Sequence, residues 1–103
     1  MLRKTHKVQT LVEIKDSLKA LKSTLADDFA VKRIGVFGSY ARNQQDESSD
    51  IDILVEFSRP VGYEFFRLQR FLEKQLGKKI DLATKAMLKQ RVKESVLNET
   101  TFV

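Results

Sequence analysis

Apolar residues recur at helical spacing in the first quarter of the chain, with lysines and Asp16 among the polar positions between them. This period predicts one amphipathic helix over residues 8–26. Residues 31–37 are β-branched and aromatic, so they predict a strand, which stops at Gly38-Ser39. A short second helix is expected to begin at Ser39. The apolar positions of the first helix are Val8, Leu11, Val12, Leu18, Leu21 and Leu25.

From Asp50 the pattern changes to strict alternation, which predicts a strand with one buried face. Pro60 marks a turn, and a third helix then follows over residues 61–76 up to Gly77. Ile80 and Leu82 predict a short third strand, and apolar residues every fourth position predict a last helix. The buried face carries Ile51, Ile53, Val55 and Phe57, the opposite face Asp50, Asp52, Leu54 and Glu56, and the last helix Leu88, Val92 and Val96.

The predicted order is therefore α-β-α-β-α-β-α, which is an α/β (α+β) chain forming a single domain over residues 1–103. Apolar residues make up 42% and charged residues 32%, which is an ordinary globular composition. The chain has no Cys, which excludes disulfides and cysteine chemistry and fits a reducing compartment. No apolar run is long enough to cross a bilayer. We expect a cytoplasmic protein that does not contact membranes.

Asp50 and Asp52 lie two residues apart on a predicted strand, so both carboxylates emerge on one face with Cβ atoms about 6 to 7 Å apart. Two ionised carboxylates this close repel each other unless a positive charge lies between them. A hard divalent metal with oxygen ligands supplies that charge. An Asp-x-Asp pair is also common near surface turns, so the pair alone leaves both interpretations open.

Asp81 lies between apolar Ile80 and Leu82, so its side chain is expected to point away from the buried face. If the two strands are neighbours, three carboxylates converge. Two metals in such a cluster can activate an attacking oxygen and neutralise leaving pyrophosphate, with Asp81 on the side of the nucleophile. The alternative is a solvent-facing residue of an edge strand.

Gly38-Ser39 follows a strand directly and stands at the expected start of a helix, where backbone amides attract phosphate. Gly38 has no Cβ and permits close approach, and the Ser39 hydroxyl can donate to a phosphate oxygen. The simpler interpretation is a turn followed by an N-cap serine. Arg42 is a further candidate for phosphate, although it could equally pair with Asp46 or Glu47.

Taken together, GSYAR at residues 38–42 and SDIDILV at residues 49–55 resemble the signature of the DNA polymerase β-like nucleotidyltransferase superfamily, most closely its minimal members. KIDL at residues 79–82 resembles the strand of the third carboxylate. The resemblance implies a small polymerase β-like fold with a short mixed sheet and helices packed on one side. It also implies that Asp50 and Asp52 bind both metals, Mg²⁺ or Mn²⁺, and that Asp81 binds one. Gly38, Ser39 and Arg42 would bind the nucleoside triphosphate, with ATP as the expected donor. One departure is Asn43, where the family often has Gly; Asn tolerates the left-handed conformation that a helix end needs.

The minimal members pair with small helical HEPN ribonuclease toxins, so the resemblance implies an antitoxin that AMPylates a tyrosine of its partner. The alternative within this family is a catalytically silent antitoxin that neutralises the toxin by binding only. The aromatic residues of the third helix are compatible with a partner surface or with the chain's own core, and the terminal Thr101-Phe102-Val103 could dock on this chain, dock on a partner or fray. The aromatic residues are Tyr63, Phe66 and Phe71.

A net charge of +5 leaves RNA binding as a third hypothesis, suggested by basic residues near the last helix. These residues are Lys85, Lys89, Arg91 and Lys93. A solvated helix face explains them more simply. We therefore do not expect direct binding of nucleic acid.

Overall fold

The computed structural model describes residues 9–103, and within them the N-terminal helical region is divided in two. Helix α1 spans Leu11–Ala20 and helix α2 spans Lys22–Phe29. The prediction of one helix over residues 8–26 is therefore wrong in its continuity, and its first residue, Val8, lies outside the described residues. Ser23 and Thr24, which follow the break at Leu21, have weak helix propensity.

Different contacts stabilise the two helices. At the start of α1, the Thr10 hydroxyl accepts a hydrogen bond from the Glu13 amide, and the Glu13 carboxylate accepts one from the Thr10 amide. This reciprocal cap satisfies two backbone donors that the helix leaves free. Helix α2 buries Leu25 and Phe29, and the Phe29 ring lies 5.0 Å from that of Phe71. Helix α2 thus packs against the next long helix, which carries Phe71.

Within residues 9–103, four strands form one mixed sheet in the order β3-β2-β1-β4. Strand β1 is Val31–Phe37, β2 is Ile51–Phe57, β3 is Ile80–Ala83 and β4 is Thr101–Phe102. Strand β2 runs antiparallel to β1 and parallel to β3. The fourth strand was not predicted, because two residues are too few to show alternation. The C-terminal segment therefore docks on this chain, antiparallel to β1.

The remaining helices confirm the predicted order apart from their bounds. Helix α3 is Gly38–Ala41, α4 is Glu64–Leu76 and α5 is Gln90–Glu99, and a short 3₁₀ helix occupies Lys85–Met87. Helix α4 ends at Gly77 in the left-handed conformation, as predicted. Helix α4 begins at Glu64, three residues later than the predicted start at residue 61. None of the helices in residues 9–103 has the length and apolarity that a bilayer crossing requires.

Helices α1, α2 and α4 pack on one face of the sheet and form the core with it. This confirms the expected short mixed sheet with helices packed on one side. Helix α5 buries no residue completely and contacts β1 and α3 instead. The opposite face of the sheet is therefore only partly covered, and it carries Asp52 and Asp81. Leu54 also faces this side, and its low exposure of 4% shows that part of this face is closed.

A cavity of about 560 Å³ lies on this partly covered face. Its apolar lining comes from β2, α5 and β4, through Leu54, Leu97 and Phe102. Arg33 stacks on the Phe102 ring, with the guanidinium carbon 3.8 Å from the ring centroid. The Phe102 side chain of the last strand therefore lines this face of the sheet beyond the carboxylates.

Candidate active site

The parallel register of β2 and β3 places Asp52 directly beside Asp81. Both side chains point away from the helical core, because the residues flanking them, such as Ile51 and Ile80, are buried in it. Asp81 is exposed and Asp52 is half-buried. Asp50 is exposed and lies one residue before β2 begins. The structure thus brings two of the three predicted carboxylates into register and leaves the third at the edge of the strand.

The electrostatic cost of this arrangement falls on Asp52, whose pKa is raised to about 6. Burial is the largest cause, followed by the charge of Asp81, a hydrogen bond with Asp81 and the charge of Asp50. Arg42 acts in the opposite direction and lowers the pKa. A carboxylate with so little compensation is a natural place for a cation.

The turn at residues 38–42, called here the Gly-Ser turn, lies directly against this carboxylate. Strand β1 ends at Phe37, which pairs with Asp52, and α3 begins at the next residue. Gly38 has φ of +74°, and a Cβ on it would overlap the Asp52 carboxylate. Glycine is therefore required twice, for the left-handed backbone and for the close approach. The turn ends at Asn43, whose φ of 59° confirms the predicted left-handed residue.

Arg42 pairs with Glu99 rather than with Asp46 or Glu47. Its Nη1 lies 3.1 Å from each oxygen of the Glu99 carboxylate, and its Nε donates to Gln44 Oε1 at 3.2 Å. The suggested pairing with Asp46 or Glu47 is therefore wrong. Asp46 instead accepts hydrogen bonds within its own loop, from the amide and hydroxyl of Ser48.

Glu99 is the residue that the sequence analysis missed. Its Oε2 accepts a hydrogen bond of 2.8 Å from the Gly38 amide, so this carboxylate contacts the Gly-Ser turn at both Gly38 and Arg42. No local pattern indicates this contact, because Glu99 and Gly38 are 61 residues apart.

The aromatic residues considered for a partner surface divide between surface and core. Tyr63 and Phe66 are 78% and 55% exposed, whereas Phe71 packs against the core. Among the basic residues considered for RNA, Lys85, Lys89 and Arg91 are exposed and Lys93 is partly exposed. Tyr63 and Phe66 are thus available to a partner, and the basic residues lie at the surface.

The fit of this site to a divalent metal is partial. Asp52 and Asp81 offer hard oxygen donors in register, and burial together with the charge of Asp81 raises the pKa of Asp52 more than Arg42 lowers it. Across residues 9–103, however, no three potential ligand side chains are grouped closely enough to hold an ion by themselves. A metal here would need Asp50 to turn toward the pair, or oxygens of a bound substrate.

The carboxylate pair lies on β2 and β3, next to a strand that continues through a Gly-Ser turn into a short helix. This arrangement on a mixed sheet is typical of nucleotidyltransferase domains. The nucleotidyltransferase domain family matches residues 14–103. The protein adenylyltransferase MntA of Thermococcus cleftensis is 44% identical over 95 residues, covering 91% of this chain and 96% of the relative. This chain belongs to the nucleotidyltransferase family and is an enzyme of that class.

Solved structures give the same fold. A structure provisionally described as a minimal nucleotidyltransferase has a TM-score of 0.78 and 32% identity, covering 95% of this chain and 98% of the other. An MNT antitoxin, solved in complex with the tri-AMPylated HEPN toxin of Shewanella oneidensis, is a match with a TM-score of 0.62 and 20% identity. That match covers 86% of this chain and 70% of the other, and at this identity it supports the fold alone.

Proposed function

We propose that this protein transfers AMP from ATP to a tyrosine hydroxyl of a HEPN ribonuclease toxin, and that it acts as the antitoxin of that partner. The observation that carries the proposal is the placement of Asp52 and Asp81 in register beside the Gly-Ser turn. Carboxylates for a cation and amides for phosphate are the two requirements of nucleotidyl transfer. The relatives named protein adenylyltransferases support AMP as the transferred group.

Asp50, Asp52 and Asp81 would hold Mg²⁺ or Mn²⁺ together with oxygens of the triphosphate. The bound metal would neutralise the charge that develops on the transferred phosphate and on the leaving pyrophosphate. Asp52, the most buried of the three, is the natural shared ligand, because it lies between Asp81 and the Gly-Ser turn. Asp81 lies on the far side of Asp52 from the turn and would face the attacking hydroxyl.

The Gly-Ser turn would bind the β- and γ-phosphates through the Ser39 hydroxyl and the amides that follow Gly38. The Gly38 amide itself is already paired with Glu99. Arg42 shares its charge with Glu99 but lies close enough to Asp52 to lower the pKa of that residue. Its positive field would therefore reach the phosphates even while the ion pair persists.

A partner protein would supply the acceptor hydroxyl. The MNT antitoxin with the same fold was solved together with an AMPylated HEPN toxin. Tyr63 and Phe66 are exposed at the start of α4 and are candidates for the contact. AMP on the toxin would add bulk and negative charge where the phosphates of RNA bind, which accounts for neutralisation. ATP as donor and RNA as the toxin's substrate imply a cytoplasmic reaction.

The test is mass spectrometry of a candidate HEPN toxin after incubation with the protein, ATP and Mg²⁺, first of the intact toxin and then of its fragmented peptides. Added AMP that maps to tyrosine is expected, and Asp52→Asn should give none. Glu94→Gln, a change at an exposed residue of α5 that is not part of the proposed site, is the matched control and should transfer normally. A toxin that is neutralised without added AMP, and equally by Asp52→Asn, would favour the silent binding antitoxin.

A further inference from the structure

We propose that Glu99 is a positioning residue for the nucleotide site, holding the Gly-Ser turn and Arg42 in the orientation that receives the triphosphate. The inference rests on the proposed function. One carboxylate accepts from the Gly38 amide at 2.8 Å and from Arg42 Nη1 at 3.1 Å. Its side chain is only 24% exposed, against 49% for Arg42. Hydrogen bonds to a charged group in such a partly buried position are the stronger kind.

The path of the C-terminal segment places Glu99 at this point. Glu99 is the last residue of α5, and Thr100 ends that helix with its hydroxyl donating to the Val96 carbonyl at 2.6 Å. Strand β4 then pairs with β1 at Gly35 and Val36, and the Val103 amide donates to the Ile34 carbonyl at 3.0 Å. The segment is therefore tied to β1, the strand that leads into the Gly-Ser turn.

Gly35 makes this close packing feasible. A Cβ at residue 35 would lie 2.8 Å from Thr100 Cγ2, 2.8 Å from the Thr101 carbonyl oxygen and 2.9 Å from Phe102 Cδ1. Real side chains do not tolerate such distances, so only glycine lets the end of α5 approach β1 this closely. The contact between Glu99 and Gly38 thus depends on a packing arrangement several residues long rather than on one flexible side chain.

Two roles for this carboxylate predict opposite effects on nucleotide binding. A carboxylate that merely occupied the phosphate position would have to leave, so its removal would strengthen binding. A positioning carboxylate stays, because Arg42 balances its charge and the triphosphate meets the amides beyond Gly38. Gly38 has a left-handed backbone, so a bond that fixes its amide also fixes the direction of the peptides that follow. The second role fits the fixed position of Glu99, because the close packing at Gly35 and the pairing of β4 tie the end of α5 to β1.

The experiment titrates wild type, Glu99→Ala, Glu99→Gln and the control Glu94→Gln with AMP-PNP and Mg²⁺ by calorimetry. Glu99→Ala is expected to weaken binding about 10- to 100-fold, as for loss of a hydrogen bond to a charged group. Glu99→Gln keeps an acceptor oxygen for the Gly38 amide and should recover part of the loss, and Glu94→Gln should bind as wild type. In the transfer assay, KM for ATP should rise more than kcat falls.

An amide spectrum separates positioning from a general loss of structure. The Gly38 amide proton should move upfield in Glu99→Gln while distant core amides keep their positions, and in wild type it should stay downfield when AMP-PNP is bound. Binding of AMP-PNP by Glu99→Ala that equals or exceeds wild type would overturn the inference and leave the proposed function standing. A wild type that fails to bind AMP-PNP with Mg²⁺ would overturn both. If Glu99→Ala does not fold, the affinity and amide shift of Glu99→Gln decide.

Discussion

The two halves of the candidate site differ in how well they are satisfied in the free protein. In the Gly-Ser turn, the Gly38 amide and Arg42 both find an internal anion in Glu99. In the carboxylate cluster, where Asp52 and Asp81 are in register and Asp50 lies at the end of the strand, only Arg42 within residues 9–103 opposes the negative charge, and the pKa of Asp52 rises to about 6. The fold therefore preorganises the half that we propose binds phosphate, and it leaves the half that we propose binds a cation with uncompensated negative charge. Changes in the two halves should consequently have different signatures.

The largest effect is expected from Asp52→Asn, which removes the central carboxylate but keeps its shape. Transfer should fall by more than about 100-fold, because the charge that would hold the metal is lost. The measurement is the initial rate of AMP transfer by mass spectrometry. Glu56→Gln, on the same face of the same strand, is the matched control and should leave the rate unchanged. Undiminished turnover in Asp52→Asn would eliminate the proposed mechanism.

In the Gly-Ser turn, Ser39→Ala should weaken nucleotide binding, and this effect should be milder than that of Asp52→Asn. The lost hydroxyl is one donor to a charged phosphate, worth about 1.5 to 3 kcal/mol, or about 10- to 150-fold in affinity. Calorimetry of ATP-analogue binding in Mg²⁺ measures it. Because no charge is removed, the metal dependence of binding should persist. A Ser39→Ala protein that binds as tightly as wild type would mean that the turn does not contact phosphate through this hydroxyl.

The thermal stability of the metal-free protein should show the uncompensated charge of Asp52 directly. The folded pKa of Asp52 lies above its ordinary value of 3.8, so ionised Asp52 destabilises the metal-free fold. This penalty is absent below about pH 4, grows between pH 4 and about 6 and is complete above that. Asp52→Asn should therefore raise the Tm of the metal-free protein at pH 7.5, by several degrees for about 1 kcal/mol. The gain should shrink toward pH 4, and a gain that does not change with pH would contradict this account.

The smallest effect is expected at the end of the Gly-Ser turn, where Asn43 adopts φ of 59°. Glycine pays no steric cost in that conformation, so Asn43→Gly should stabilise the fold by a few tenths of a kcal/mol. Thermal unfolding measures the change, and nucleotide affinity should stay within about twofold. A loss of stability would show that the Asn43 side chain contributes more than its backbone conformation suggests.

The sequence predicted those features that depend on local pattern. The alternation of apolar and polar residues predicted β2. The same alternation in the third strand predicted that Asp52 and Asp81 share one face of the sheet, which the register confirms. The glycine turn followed from its position between a strand and a helix. The resemblance to minimal nucleotidyltransferases supplied the family, which the comparisons confirmed.

Long-range contacts account for what the sequence could not predict. Strand β4 has two residues and pairs with β1 far away along the chain, so no periodicity marks it. In the sequence, Glu99 is an acidic residue at the end of a helix and has no distinguishing pattern. The pairing of β4 with β1 brings it to Gly38. The break at Leu21 was missed because both helices continue the same apolar spacing.

We propose that a divalent cation joins the carboxylate cluster to the triphosphate, and calorimetry of ATP-analogue binding in Mg²⁺ and in EDTA measures its contribution. Binding should be at least about 100-fold tighter in Mg²⁺, since the carboxylates otherwise repel the phosphates. Asp52→Asn should reduce this difference, while Glu56→Gln should preserve it. Equal affinity of the wild-type protein in Mg²⁺ and in EDTA would show that no cation joins the carboxylates to the triphosphate.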